Sequence, residues 1–192
     1  LDHLKKVSNI EDLASATKLP KIATNRPSTE GGRYKGKEAN RVHSLLEAAE
    51  AGCEFVDIEL RTEDIGKVIK QVKRLGANAI VSYHDFHSTP DPQKLIEIFK
   101  KQKSVGADIC KITSTAKTLQ DNLRILDFIL KASKKAKVVS FAMGRLGLVS
   151  RVLSPIYGAS FTFASVERGA ESASGQLTLD EMKNIYASMR LE

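Results

Sequence analysis

The chain reads PQKLIEIFKKQKSVGADICKI at positions 92–112, and this stretch contains a helix, its end and a strand. Apolar residues recur at helical spacing as far as Gly106, which stands where a helix commonly ends in glycine. Asp108–Ile112 is then a short apolar run of strand length. Gly52 and Gly76 also separate a helical pattern from an apolar run. Strands and helices that alternate in this way build a parallel sheet through right-handed crossovers.

Six apolar runs predict strands, and most of them carry apolar residues at consecutive positions, as strands covered on both faces do. The predicted strands are Lys21–Asn25, Glu54–Leu60, Ala79–Tyr83, Asp108–Ile112, Lys137–Phe141 and Ala159–Ala164. The predicted helices between them are Lys37–Ala51, Asp64–Leu75, Pro92–Val105 and Leu119–Ala136. A doubly wound open sheet and a (β/α)8 barrel both fit this order. No G-x-G-x-x-G turn follows the first strand, which disfavours a dinucleotide-binding open sheet.

Polar residues at the ends of four different strands favour the barrel. Arg26, Glu59, His84 and Lys111 all follow or close a predicted strand, and barrel enzymes draw their catalytic groups from the carboxyl ends of their strands. We therefore predict an α/β fold of the (β/α)8 TIM-barrel type. Because a barrel has eight strands and six are predicted, we expect the first two strands to precede the first residue. Residues 1–192 are then a single catalytic barrel domain that is incomplete at its N-terminus.

The composition of the 192 residues, 42% hydrophobic and 28% charged, is ordinary for a globular domain. No apolar run is long enough to span a bilayer and no signal-peptide pattern is present, so we expect a cytoplasmic protein without a membrane partner. Cys53 and Cys110 fall at predicted buried strands and are interpreted as reduced thiols. The net charge of +7 suits either nucleic acid or a small anion. Aromatic residues do not alternate with the basic ones, so we expect no nucleic-acid partner.

Lys111 is an ammonium group in the middle of an apolar run, and lysine is rarely buried without a partner or a function. Loss of water lowers the pKa of a buried amine, and a neutral amine can form a Schiff base with a ketone. For a single lysine, a side chain that reaches solvent is the commoner explanation. The residues at neighbouring strand ends favour a functional lysine instead. His84 can move protons near neutral pH, and the carboxylate of Glu59 can orient it. This set suits enolisation, dehydration or aldol cleavage of a keto substrate.

Two arginines and one polar loop are candidates for binding an anionic substrate. Arg26 and Arg151 each carry a planar group that matches a carboxylate, although a surface ion pair is the commoner role of one arginine. Residues 172–176, which contain Ser172 and Gln176, are small and polar, and we interpret them as a connection or a closing loop. His84 and His87 lack an evident third ligand, so we predict no metal site.

Six segments of the chain, in order, resemble a known family. They are Asn25-Arg26 with Glu30-Gly31-Gly32, Val56–Leu60, Ser82–Pro90, Ala107–Ile112, Met143-Gly144 through Ser150-Arg151, and Ser172–Gln176. This pattern is similar to that of type I 3-dehydroquinate dehydratase, the Schiff-base dehydratase of the shikimate pathway in aromatic amino acid biosynthesis. The resemblance covers nearly the whole chain.

The resemblance implies a hydro-lyase that converts 3-dehydroquinate to 3-dehydroshikimate, without a metal or organic cofactor, commonly as a homodimer. Lys111 would form the imine, His84 would transfer the proton and Glu59 would position His84. The substrate would be bound by six side chains, which are Arg26, Arg151, Ser172, Gln176, Phe86 and Met143.

Two departures from the family pattern and two other functions bear on this interpretation. The family has a Glu-x-Arg pair on the strand before the stretch that resembles Leu1-Asp2-His3, and this pair is absent. Ser174 stands where the family has proline, which we expect to loosen the loop. A class I Schiff-base aldolase on the same barrel would also use a strand lysine. A non-catalytic anion-binding barrel is the third alternative, suggested by the net charge.

Overall fold

Strands and helices alternate along most of the chain in the computed structural model, which describes residues 1–3 and 9–190. The strands are β1 (Ile22–Thr24), β2 (Phe55–Glu59), β3 (Asn78–His84), β4 (Ile109–Thr115) and β5 (Lys137–Met143). The α-helices are α1 (Ile10–Ser15), α2 (Glu38–Glu50), α3 (Ile65–Arg74), α4 (Pro92–Ser104), α5 (Gln120–Ala132), α6 (Leu148–Leu153) and α7 (Leu179–Ser188). Short 3-10 helices occupy Ser28–Glu30 and Arg145–Gly147.

The strands form one sheet in the order β1-β2-β3-β4-β5, so neighbours in sequence are neighbours in the sheet. The pairs β1–β2 and β2–β3 are parallel, with Ala23 opposite Val56 and Asp57 opposite Ile80. Each connection between successive strands passes through a helix, as parallel strands require. The predicted parallel α/β fold is therefore confirmed.

The chain divides into two compact units, and the division falls within β4. The first unit contains Leu1–His84 and Glu97–Lys111, and the second contains Asp85–Ile96 and Ile112–Glu192.

The core of the first unit lies between its strands and the inner faces of α2 and α3. Leu45, Val56, Ile58 and Val81 have no exposed surface, and Ile69 is 2% exposed. Each such side chain contributes about 1.5–3 kcal/mol of hydrophobic stabilisation by its burial. Apolar residues at successive positions of β2 and β3 thus predicted the buried strands correctly.

Glycines follow α2, α3 and α4 of the first unit, as the sequence predicts. Gly52, Gly76 and Gly106 have φ values of 96°, 85° and 97°. A Cβ atom at Gly52 or Gly76 would meet nothing within 4 Å, so space does not require glycine there. The left-handed backbone does, because a side chain strains it.

In the second unit, the buried side of α5 and a polar link to α6 build the interior. Ile125 and Ile129 of α5 are fully buried, as is Val138 of β5. Asn122 links α5 to the next segment, since its Nδ2 donates to the Leu146 carbonyl at 2.7 Å and its Oδ1 accepts from Ser150 N at 3.0 Å.

The sixth predicted strand, Ala159–Ala164, is wrong, because no strand is present there. Ser160 N donates to the Val138 carbonyl at 2.8 Å, which starts a pairing with β5. The ladder does not continue along residues 161–164, and the hydroxyl of Thr162 instead donates to the Arg151 carbonyl at 2.9 Å. Ser165 forms only an isolated bridge with Thr178.

Candidate active site

Five charged or titratable side chains of the first unit lie on its strands or directly after them. Arg26 follows β1, Asp57 and Glu59 belong to β2, His84 closes β3 and Lys111 lies on β4. Side chains alternate between the two faces of a strand, so Asp57 and Glu59 lie on the same face of β2. The carboxyl ends of parallel strands meet at one edge, which brings groups that are distant in sequence together.

Lys111 is buried and contacts a carboxylate. Its side chain is 9% exposed, and its Nζ donates to Asp57 Oδ2 at 2.7 Å. The same Asp57 oxygen forms an ion pair with Arg26 Nη2 at 2.8 Å. Burial lowers the pKa of Lys111 and outweighs the opposing effect of Asp57. A lowered pKa makes the neutral, nucleophilic amine more accessible near neutral pH.

Asp57 remains an anion in this cluster. Burial raises its pKa, but the charges of Arg26 and Lys111 outweigh burial and lower the pKa far below its usual range. Asp57 therefore supplies a fixed negative charge beside the amine.

His84 is held in its neutral form. Burial lowers its pKa well below the usual value, and the positive charges of Arg26 and Lys111 lower it further. Its Nδ1 lies 3.3 Å from Glu30 Oε2. When Nδ1 carries the ring proton and donates to Glu30, Nε2 is the unprotonated ring nitrogen and can act as a base.

Glu30 Oε2 contacts His84, and both oxygens of Glu59 face guanidinium groups. Glu59 Oε1 accepts from Arg26 Nη1, and Glu59 Oε2 lies 2.6 Å from Arg41 Nη1. The positioning of His84 that the sequence assigns to Glu59 stays a prediction, and Glu30 is a further carboxylate at a distance from which it can orient the ring. Burial raises the pKa of Glu30 to about 7, and the charge of Glu59 adds to that rise.

The sequence interpretation missed Glu30 because Glu30-Gly31-Gly32 resembles a mobile loop. The structure places Glu30 in a 3-10 turn with 5% of its surface exposed. Gly31 has φ of 80°, and a Cβ at Gly32 would lie 2.0 Å from the Arg26 carbonyl oxygen. Two consecutive glycines after a strand-end arginine were the available signal, since they let the chain turn back against that strand end.

Arg151 of the second unit is a fully buried cation on α6. Its guanidinium lies over the ring of Phe141 at 4.2 Å. Within the described residues its Nε and Nη1 have no hydrogen-bond partner, and Nη2 lies 3.5 Å from the Ser174 carbonyl. Burial lowers its pKa to about 10, so Arg151 is still charged at neutral pH. Unsatisfied donors on a buried cation are suited to binding an anion.

The polar loop of the second unit lies against the end of β5. Gly144, next to Met143, donates its N–H to the Ser174 carbonyl at 3.3 Å. A Cβ at Gly175 would lie 2.6 Å from the Gly144 carbonyl oxygen, and its φ is 76°. Glycine is therefore required for this close approach.

The other predicted binding residues also lie in the second unit. Ser172 N donates to Gln176 Oε1 at 2.9 Å, so these two residues contact each other. Met143 is 8% exposed at the end of β5, and Phe86 is 42% exposed just after β3. The structure thus brings Met143, Arg151 and residues 172–176 together in one unit, while the substrate-binding roles of all these side chains stay predictions.

Residues 1–3 and 9–190 contain no group of three or more His, Cys, Asp or Glu side chains placed to hold a metal ion. None of the helices in that part of the chain combines the length and the apolar character needed to cross a bilayer.

The fold and this site define a parallel α/β protein with a buried lysine on an inner strand. The family model of type I 3-dehydroquinase matches residues 1–192. The chain belongs to the type I 3-dehydroquinase family.

Named relatives agree with this assignment. A 3-dehydroquinate dehydratase of Dehalococcoides mccartyi is 40% identical over 181 residues, which cover 94% of this chain and 81% of that protein. One of Methanocaldococcus jannaschii is 39% identical over 194 residues, which cover 100% of this chain and 86% of that protein.

Solved structures of 3-dehydroquinate dehydratases share the fold. That of Geobacillus kaustophilus matches with a TM-score of 0.89 and 25% identity, covering 98% of this chain and 78% of its own. That of Aquifex aeolicus matches with a TM-score of 0.85 and 26% identity, covering 98% of this chain and 84% of its own. Of the functions considered from the sequence, these relationships favour the dehydratase.

Proposed function

We propose that this chain is a hydro-lyase that dehydrates 3-dehydroquinate to 3-dehydroshikimate through a Schiff base on Lys111. The observation that carries the proposal is the buried amine of Lys111, whose pKa is lowered by burial, in a chain of the type I 3-dehydroquinase family. The neutral imidazole of His84 belongs to the same unit and supplies the base that such a reaction needs.

The first step joins Lys111 to the substrate ketone. The neutral amine nitrogen attacks the carbonyl carbon, and its two protons leave with the carbonyl oxygen as water. The proton that the Lys111 ammonium gives up before the attack returns to the imine nitrogen, which gives a positively charged iminium. The iminium withdraws electrons from the neighbouring carbon and makes its C–H bond acidic. A carbonyl by itself acidifies that bond less, and this is the advantage of covalent catalysis here.

His84 then acts on the acidified C–H bond. Its neutral ring takes the proton, and the C–H electrons form an enamine. The enamine electrons re-form the iminium as the β-hydroxyl departs, and His84 returns its proton to that hydroxyl, which leaves as water. Hydrolysis of the conjugated iminium releases the product and restores Lys111. Glu30, at 3.3 Å from Nδ1, orients the ring throughout.

Arg151 is the proposed partner of the substrate carboxylate. Its buried Nε and Nη1 have no hydrogen-bond partner in the described part of the chain, and each of them can donate a charge-assisted hydrogen bond to a carboxylate. Ser172 and Gln176 are proposed to bind substrate hydroxyls, and Phe86 and Met143 to line the pocket. Arg26 is bound to Asp57 and Glu59, so its support of substrate binding acts through the charge of this cluster.

Reductive trapping tests the proposed reaction. The protein is incubated with 3-dehydroquinate and borohydride, and its peptides are examined by mass spectrometry. We expect the reduced substrate adduct on Lys111. Lys111→Ala should abolish both trapping and formation of the conjugated enone, with a loss of roughly 10⁴-fold or more in kcat.

Lys73→Ala is the matched control, because Lys73 is an exposed lysine of the same unit that pairs with Asp108. It should trap and turn over as the unchanged protein does. Full activity of Lys111→Ala would refute the Schiff-base mechanism.

We also propose that residues 1–192 belong to one catalytic domain of a cytoplasmic homodimer whose only partner besides its copy is the small-molecule substrate. The support for these points is the family membership. Light scattering at micromolar concentration should give twice the mass of the chain, and a monomer mass would contradict the dimer.

A further inference from the structure

Asp57 is a buried carboxylate that contacts the nitrogen of Lys111 directly. Its Oδ2 lies 2.7 Å from Lys111 Nζ and 2.8 Å from Arg26 Nη2. Only 1% of its surface is exposed. Its Oδ1 is also buried and has no hydrogen-bond partner within the described residues. One oxygen therefore carries both cation contacts.

Structural stability does not by itself explain a carboxylate at this position. Val56 and Ile58, the neighbours of Asp57 on β2, are fully buried in the apolar core. Replacing a buried ion pair with well-packed apolar side chains is often neutral or stabilising. A charged cluster of this kind therefore calls for a chemical reason, and the contact with Lys111 supplies one.

The charge on the lysine nitrogen is the same before and after the imine forms. An ammonium and a ketone give a protonated imine and water, so three N–H bonds become one N–H bond and a C=N bond while the charge remains +1. The two lost protons leave with the carbonyl oxygen as water. A fixed anion that neutralises the ammonium also neutralises the iminium, and no charge has to be moved.

We propose that Asp57 is the counter-ion of the Lys111 nitrogen in both forms and keeps the imine protonated during the reaction. This inference rests on the proposed Schiff-base function and adds a residue to it. In a site without water, an unpaired iminium is costly and loses its proton. A neutral imine is a poor electron sink, so the C–H bond beside it would not be acidified.

The other charged groups around the nitrogen do not replace Asp57. Arg26, at the end of β1, is a cation and disfavours charge on Lys111. Glu59, on β2, favours that charge but contacts Arg26 and Arg41. His84, on β3, is held neutral. Of these groups, Asp57 is an anion whose direct contact with the amine the structure shows.

Asp57→Asn tests the proposal, because the amide keeps the shape and removes the charge. We expect kcat near neutral pH to fall about 10²–10³-fold, the usual cost of removing one preorganised charge interaction. We also expect part of the activity to return as the pH is lowered, since solvent then protonates the imine. A merely structural residue would not produce this change in the pH profile.

Nuclear magnetic resonance of protein labelled with ¹⁵N at the lysine side chains gives a direct reading. With 3-dehydroshikimate bound, the unchanged protein should show an imine nitrogen with a one-bond N–H coupling at neutral pH. The Asp57→Asn variant should show an imine nitrogen without this N–H coupling, because its imine is not protonated. If Asp57→Asn does not fold, the spectrum of the unchanged protein still decides, because an unprotonated imine there would overturn the proposal.

Asp64→Asn is the matched control, because Asp64 forms an Asp–Lys pair of the same length with Lys67 at 2.7 Å, but in solvent. It should leave kcat and the pH profile unchanged. If the unchanged protein traps substrate on Lys111 while Asp57→Asn keeps the original kcat and pH profile, the role of Asp57 is refuted and the proposed function stands. If the unchanged protein traps no substrate on Lys111, both are refuted.

Discussion

Arg26 in the first unit and Arg151 in the second are both buried guanidinium groups, and they differ in what surrounds them. Arg26 contacts Asp57 and Glu59, and these carboxylates outweigh the lowering effect of burial on its pKa. Arg151 lies over Phe141 with two nitrogens unsatisfied among the described residues, and burial lowers its pKa to about 10. The first charge is neutralised within the protein, and the second is available to neutralise a ligand.

The largest effect is expected from Arg26→Met. Removing this cation leaves Asp57 and Glu59 buried with one partner fewer each, and breaking a buried ion pair from one side costs about 3–5 kcal/mol. Because Lys111 and Arg41 still contact the two carboxylates, we expect a loss near 3 kcal/mol in the free energy of unfolding, measured in urea. Arg151→Met is the matched comparison and should be neutral or stabilising. Equal losses in the free energy of unfolding of the two variants would contradict the idea that only Arg26 is neutralised within the protein.

Arg151→Met should instead affect binding. The substrate carboxylate loses a charge-assisted hydrogen-bond partner, so kcat/KM should fall about 10²-fold, mainly through a higher KM. Steady-state kinetics with 3-dehydroquinate measures this change. Arg168→Met, which removes an arginine whose side chain is 82% exposed in the same unit, should leave both constants unchanged. A fall in kcat at constant KM would show that Arg151 acts on the reacting atoms and not on substrate binding.

The different environments of these groups also explain how far the sequence could lead. Lys111 and Arg151 were predicted because a charge in or after an apolar strand is conspicuous without knowledge of the fold. Asp57 was not singled out, since the register that places it against Lys111 depends on pairing between strands. Ala159–Ala164 was predicted as a strand because local apolar character does not reveal that Thr162 donates to the Arg151 carbonyl.

A smaller effect is expected from Glu30→Gln. The pKa of Glu30 is raised from 4.5 to about 7 in the folded state, so between these values the folded protein binds more protons than the unfolded chain. The stabilising contribution of this proton is therefore fully present below pH 4.5 and is lost as the pH rises through 7. The rise from 4.5 to about 7 corresponds to about 3 kcal/mol, and solvent screening reduces this value. Relative to the unchanged protein, Glu30→Gln should therefore gain about 2 kcal/mol in the free energy of unfolding between pH 4.5 and pH 8.

Urea unfolding of both proteins across this pH range measures the difference. His84 acts with the opposite sign, since its lowered pKa makes the folded state gain stability as the pH rises to 6.5. His84 is present in both proteins, so the difference between their free energies of unfolding reflects the titration of Glu30. Parallel stability curves would contradict the raised pKa. The same variant should lower kcat, because Nδ1 of His84 then faces an amide in place of a carboxylate.

The smallest effect is expected in the loop of the second unit, from Ser174→Pro. The Ser174 carbonyl accepts from Gly144 N at 3.3 Å and lies 3.5 Å from Arg151, and proline keeps that carbonyl. Proline restricts the unfolded and open forms of the loop, which stabilises the protein by about 0.4–1 kcal/mol where the backbone fits. We expect a slightly higher melting temperature and a lower KM. Ser172→Pro is the contrasting control, since it removes the N–H that donates to Gln176 Oε1 at 2.9 Å. It should destabilise the loop. A higher melting temperature in both variants would contradict the prediction that the Ser172 N–H contact stabilises the loop.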